Sequence, residues 1–129
     1  MPVSTAPLLT ASTTLHRTLK KAARFFGGRY GQLPKSSVLP TTRDVAAGEM
    51  RLRTLLWPGP TPALVLLHGL NNNAWSWPRV ASQLCTDRMV VALCLRGHGG
   101  SSAPDAGYSL AETTQDLMHV LRALSLDQV

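Results

Sequence analysis

The sequence predicts an α/β fold in which an antiparallel strand pair precedes a parallel strand–helix–strand–helix unit. Three observations carry this expectation. Residues 63–67 and 89–95 are apolar at every position, the pattern of strands covered on both faces of a parallel sheet. Each run breaks into polar, glycine-containing sequence, at His68-Gly69 and at Arg96-Gly97. Helical periodicity fills the segments between and after them.

At 129 residues the chain has room for one small domain. Its net charge of +6 is unevenly placed: residues 1–43 hold seven Lys/Arg and no acid, whereas residues 44–129 hold six against seven Asp/Glu. The basic character therefore belongs to the N-terminus. It is not interleaved with a nucleic-acid-binding motif, so no nucleic-acid partner is expected. Residues 1–37 read as a Ser/Thr-rich basic leader. Leu15, Leu19, Ala22, Ala23 and Phe26 share a helical face, with Arg17, Lys20, Lys21 and Arg24 largely off it. That is the look of a mitochondrial or plastid transit peptide. A disordered solvated extension and a weak membrane-surface anchor are the alternatives, and without a targeting role the protein would be cytoplasmic. No apolar run approaches the ~20 residues of a transmembrane segment.

The domain is expected over residues 38–129. Residues 38–57 form a strand pair around a turn at Ala46-Ala47-Gly48-Glu49, and the second strand alternates apolar and basic residues before turning apolar throughout. Three prolines at 58, 60 and 62 force a loop, since proline cannot stay in a ladder. The all-apolar strand at 63–67 follows, and then a turn at Asn71-Asn72-Asn73. Ser76 is the expected cap of the next helix, with Pro78 in its first turn and Val80, Ala81 and Leu84 on its apolar face. Cys85 ends that helix and Cys94 ends the strand at 89–95. Two cysteines make no disulfide framework, and both are expected to be packed, reduced thiols, with a bridge between them as the alternative.

Residues 96–104 form a Gly/Ser loop. Ser109 with Glu112 is a capping box. The stripe Leu110, Thr114, Leu117, Leu121 and Leu124 then marks a helix ending near Ser125. The four histidines lack metal-ligand spacing, so no metal is expected, and nothing requires an organic cofactor. Gly97-x-Gly99 has Ser102 where a dinucleotide fingerprint needs its third glycine, and a phosphate loop has no Gly-Lys-Ser/Thr here.

Taken in order, these features resemble the N-terminal half of the α/β-hydrolase family. The resemblance covers roughly residues 44–129. It rests on the strand pair, the strand ending in His68-Gly69, and a tryptophan at 75 or 77. The loop Arg96-Gly97-His98-Gly99-Gly100-Ser101 and the helix entry Tyr108-Ser109-Leu110 complete it. The resemblance implies that the Leu70 backbone N–H forms half of an oxyanion hole, with Gly69 allowing the turn and keeping the pocket clear of a side chain. It also implies that His68, Gly69, Arg96, Gly97, His98 and Gly99 shape the site. The family commonly carries an aspartate where Cys94 stands, which puts the usual polar contact of that strand end in question.

Ser101 and Ser102 sit in no strand-to-helix elbow and are expected to be loop serines. By the same resemblance the G-x-S-x-G nucleophile elbow, the acid and the catalytic histidine follow beyond Val129. The residues in hand then form a partial sheet truncated before the elbow strand, hold no catalytic triad member, and are expected to be inactive alone. A basic membrane- or nucleic-acid-binding module would rest on the leader alone and ranks last, which leaves two functions ahead of it. One is the N-terminal portion of a serine hydrolase cleaving an ester, thioester, amide or related bond, with a small-molecule substrate if a downstream half exists. The other is a non-catalytic binding or regulatory relative. In either case the strand at 63–67, centrally placed in the family's sheet, would offer an open edge for self-association.

Overall fold

The computed structural model describes residues 38–129. The expected leader at 1–37, and with it the transit-peptide reading, lies outside the described residues. The elements are β1 (Thr41–Ala47), β2 (Met50–Trp57), β3 (Leu64–Leu67), a 3-10 turn (Ala74–Ser76), α1 (Pro78–Leu84), β4 (Val90–Leu93) and α2 (Leu110–Ala123). They build one four-stranded sheet in the order β1-β2-β4-β3. β1 and β2 form an antiparallel hairpin in which Ala47 pairs with Met50, so the turn is only Gly48-Glu49, and Ala46 and Ala47 belong to the strand. β2 is antiparallel to β4, and β4 is parallel to β3. The expected antiparallel pair and parallel β–α–β–α progression are both present.

β4 is the centre of this sheet. Its four residues are buried, and successive side chains reach opposite faces. Val90, Ala92 and Cys94 join Leu55, Trp57, Ala74 and Ala81 beneath α1. Val91 and Leu93 face the other way, toward Val120, Leu121 and Leu126 of the α2 segment. The Trp57 indole N–H is satisfied by the Val38 carbonyl at 3.0 Å.

Four expectations are corrected. β3 was expected to be covered on both faces, yet Leu64–Leu66 are half-buried and Leu67 is 42% exposed. The reason is its position: among the described residues β3 pairs with β4 alone, while the Ala63 N–H beyond its start donates to the Gln128 carbonyl at 3.3 Å. Asn73, not Ser76, is the capping residue. Its Oδ1 accepts from the Trp75 N–H at 2.8 Å and opens the 3-10 turn, whereas the Ser76 hydroxyl donates back to the Asn73 carbonyl. α1 then starts directly at Pro78, with Ala81 buried but Val80 exposed. On α2 the capping box forms as expected, but Leu110 and Thr114 are exposed, and the fully buried positions are Asp116 and Val120. Both cysteines are buried free thiols, as expected.

Candidate functional site

β3 and β4 are parallel neighbours, so their carboxyl ends lie side by side, where open α/β sheets form their ligand sites. From β3 come His68, Gly69 and Leu70. From β4 come Cys94, Leu95 and Arg96, followed by the loop of residues 97–108.

His68 ties the two strand ends together. The residue is 6% exposed; the Leu95 N–H donates to Nε2 at 3.0 Å, and Nδ1 lies 2.8 Å from the Gly69 carbonyl oxygen. An amide N–H only donates, so Nε2 carries no proton. A carbonyl only accepts, so Nδ1 carries one. His68 is therefore a neutral imidazole held in a single tautomer. Burial pushes its pKa below the ordinary 6.5; the Gly69 carbonyl opposes that shift, and the His98 ring, its centroid 5.0 Å away, adds to it.

This makes stability depend on pH in a defined direction. The folded-state value lies below the unfolded one, so the unfolded chain takes up the proton first. The His68 contribution is complete above 6.5 and is lost as pH falls from there toward the lowered value. Urea midpoints measured from about pH 8 down to about pH 5 should decline in the wild type. The decline should flatten in His68→Gln; an equally steep fall in that variant would assign it to another group.

Arg96 is the second tie. Its Nε and Nη2 donate to both carboxylate oxygens of Asp116, each at 2.7 Å. Nη1 donates to the Gly107 carbonyl, and Nη2 also reaches the Glu112 carbonyl at 3.3 Å. The two side chains are 11% and 3% exposed, so this is a buried bidentate pair. One guanidinium thus joins the end of β4, the far end of its loop and the middle of α2. The Asp116 carboxylate holds the Arg96 pKa above its usual value despite burial.

Within the loop, Gly97 and Gly99 have φ of 75° and 58°. A Cβ on Gly97 would lie 2.7 Å from Tyr108 Cε1, and one on Gly99 would lie 2.5 Å from Cys94 Sγ. Both need glycine for conformation and for space. Gly69 needs it for neither among the described residues: its φ lies outside the left-handed region and an added Cβ meets nothing within 4 Å. The left-handed position in that turn is Asn71, with φ of 56°, a conformation asparagine tolerates.

His98 Nδ1 lies 3.0 Å from the Arg96 carbonyl oxygen. At Cys94, where the family commonly has aspartate, the polar contact is made by backbone: the Ser101 hydroxyl donates to the Cys94 carbonyl at 2.6 Å. Ser101 and Ser102 also accept the Arg53 and Arg51 N–H groups, each at 2.9 Å. Their hydroxyls are committed to the edge of β2, in keeping with loop serines.

Leu70 stands apart. Its side chain is 87% exposed, and its backbone N–H has no acceptor among the described residues.

A profile of the alpha/beta hydrolase family matches residues 64–129, which span β3 to the end of the chain. The chain belongs to the α/β-hydrolase family. It is 43% identical over 91 residues to a fluoroacetate dehalogenase of Burkholderia sp, covering 67% of this chain and 30% of that protein. An epoxide hydrolase of Xenopus tropicalis is 34% identical over 82 residues, 62% of this chain and 20% of its own. Among solved structures, an epoxide hydrolase from Vigna radiata superposes with a TM-score of 0.65 at 25% identity, covering 70% of this chain and 29% of that one. A haloalkane dehalogenase mutant from Agrobacterium tumefaciens gives 0.62 at 26% identity, covering 67% and 29%. This α/β-hydrolase chain thus spans between 20% and 30% of the length of these relatives.

Sequence reasoning missed two buried polar residues of this region, Asp116 and Asn73. The signal for Asp116 lay in its neighbours. It directly precedes the stripe residue Leu117 and lies one turn before the apolar Val120. An arginine at the end of an all-apolar strand needs such an anion.

Proposed function

We propose that this chain is the N-terminal part of a hydrolase in which the Leu70 N–H supplies half of an oxyanion hole. The bond cleaved is an ester, thioester, amide or related bond, and a serine nucleophile, an acid and a histidine base come from sequence following Val129. The observation that carries this reading is the Leu70 N–H, which leaves the carboxyl end of β3 without an acceptor among the described residues. A backbone donor fixed at a strand end stabilises developing negative charge without reorganising when the charge appears.

The reading is tested on the protein as its source cells make it, with any residues that follow Val129. That protein is assayed against a panel of p-nitrophenyl esters, thioesters, anilides, epoxides and haloacids. Turnover of an ester, thioester or anilide, with kcat reduced about 10²–10³-fold in Leu70→Pro, is the expected result, because proline removes the N–H; turnover of the epoxides or haloacids alone would overturn the bond class. Turnover that Leu70→Pro leaves intact would overturn the role of Leu70. No turnover across the panel would overturn the hydrolase reading.

A further inference from the structure

We infer that His68 is the positioning residue of the oxyanion-hole peptide: its imidazole sets the direction of the Leu70 N–H by holding the carbonyl of the same peptide unit. The inference rests on the oxyanion role proposed for Leu70. It concerns which group aims that donor.

The Gly69–Leu70 peptide is planar, and the Thr61–Pro62 bond is the only cis peptide among the described residues. In a trans unit the C=O and the N–H point in opposite directions. Whatever fixes the Gly69 carbonyl therefore fixes the Leu70 N–H. The group that does so is His68 Nδ1–H, at 2.8 Å. The ring itself is held from its far side, because the Leu95 N–H at the end of β4 donates to Nε2 at 3.0 Å.

A chain of two hydrogen bonds thus runs from β4 through the imidazole to the Gly69 carbonyl, and the Leu70 N–H points away from the ring that bridges to β4. Both bonds require the neutral Nδ1–H tautomer, and the buried site favours the neutral form. The turn at Leu70-Asn71 follows this carbonyl directly, and an added Cβ at Gly69 finds only open space. Packing at Gly69 therefore does not hold this peptide; beside the backbone turn, the imidazole is the side chain that does.

The two nitrogens are separated by a pair of variants in the protein as its cells make it. The amide of His68→Asn reaches the Nδ1 position and can still donate to the Gly69 carbonyl. The amide of His68→Gln reaches the Nε2 position and keeps only the Leu95 contact. Each loses one hydrogen bond, so a purely structural role would affect both alike. Expected are a displaced Leu70 amide resonance in His68→Gln but not in His68→Asn, and ring nitrogen shifts showing the Nδ1–H tautomer in the wild type. On the substrate identified above, kcat should be at least ~10-fold lower in His68→Gln than in His68→Asn with KM alike, as for a misaimed catalytic group.

Equal Leu70 shifts in the two variants, equal kcat values, or an Nε2–H tautomer would overturn the inference. If the wild type turns over no substrate, the hydrolase reading fails. The ring and amide resonances then still decide whether His68 orients the peptide.

Discussion

Asp116→Ala is expected to destabilise the domain by about 3–5 kcal/mol, the cost of leaving one partner of a buried ion pair uncompensated. The Arg96 guanidinium would keep only the Gly107 and Glu112 carbonyls, in a site where its side chain is 11% exposed. Urea unfolding gives the number directly. A companion variant separates charge from packing: Arg96→Met with Asp116→Leu removes both charges and fills similar volume, and should cost clearly less than Asp116→Ala alone. If the single and double variants are equally unstable, the loop's attachment to Arg96 matters more than the buried charge. A loss below ~1 kcal/mol in Asp116→Ala would place the pair among exposed ion pairs and contradict its burial. Because Arg96 also holds the Gly107 end of the loop, limited proteolysis of Asp116→Ala should show new cleavage between residues 97 and 108.

The second large effect belongs to Trp57→Ala, at about 3–5 kcal/mol. Trp57 is fully buried and packs with Leu55, Ala74, Ala81, Val90 and Ala92 on the α1 face of the sheet. Truncation would open a cavity among small side chains and short strands that have little to move into it. Trp57→Phe should cost far less. It loses the N–H bond to the Val38 carbonyl, but Val38 is 43% exposed and water can replace the donor. Thermal unfolding of the two variants distinguishes cavity from hydrogen bond. Similar losses in both would mean that the indole N–H, not the packed volume, carries the effect. Either large variant removes a sizeable fraction of the ~5–15 kcal/mol typical of a folded domain.

What the sequence revealed and concealed divides along physical lines. The hairpin, the two apolar runs and the Ser109–Glu112 capping box were legible because each is written in local spacing: period two, no period, and an interval of three. The strand order was not local. β4 is inserted between β2 and β3, and only that crossing explains why residues 90–93 are buried while Leu67 is exposed. The orientation of α2 was misread by part of a turn. Leu110 sits at the helix start, 83% exposed, and the face that meets the sheet is centred on Val120 and Asp116.

Among the candidate site residues, His68, Arg96, Gly97, His98 and Gly99 do gather at the ends of β3 and β4, joined by the hydrogen bonds and ring contact described. The reason assigned to Gly69 was not legible. Its need for glycine was inferred from a turn whose left-handed residue is Asn71. Asn73 was hidden because it caps a 3-10 turn inserted ahead of α1, whose own N-cap position, Trp77, carries no side-chain cap.

Ser101 and Ser102 bear on how much change the loop can absorb. β2 outruns β4: the ladder between them covers only residues 54–57, and below it the Arg51 and Arg53 N–H groups end on serine hydroxyls. The Arg51 carbonyl in turn accepts the Ser102 N–H at 2.8 Å. A stretch that by composition resembles an interchangeable linker is therefore standing in for a missing length of strand. Length variation here would shift both hydroxyls out of register with two fixed amides. Insertions should be accepted after residue 102, where that pairing ends, and rejected between residues 96 and 102.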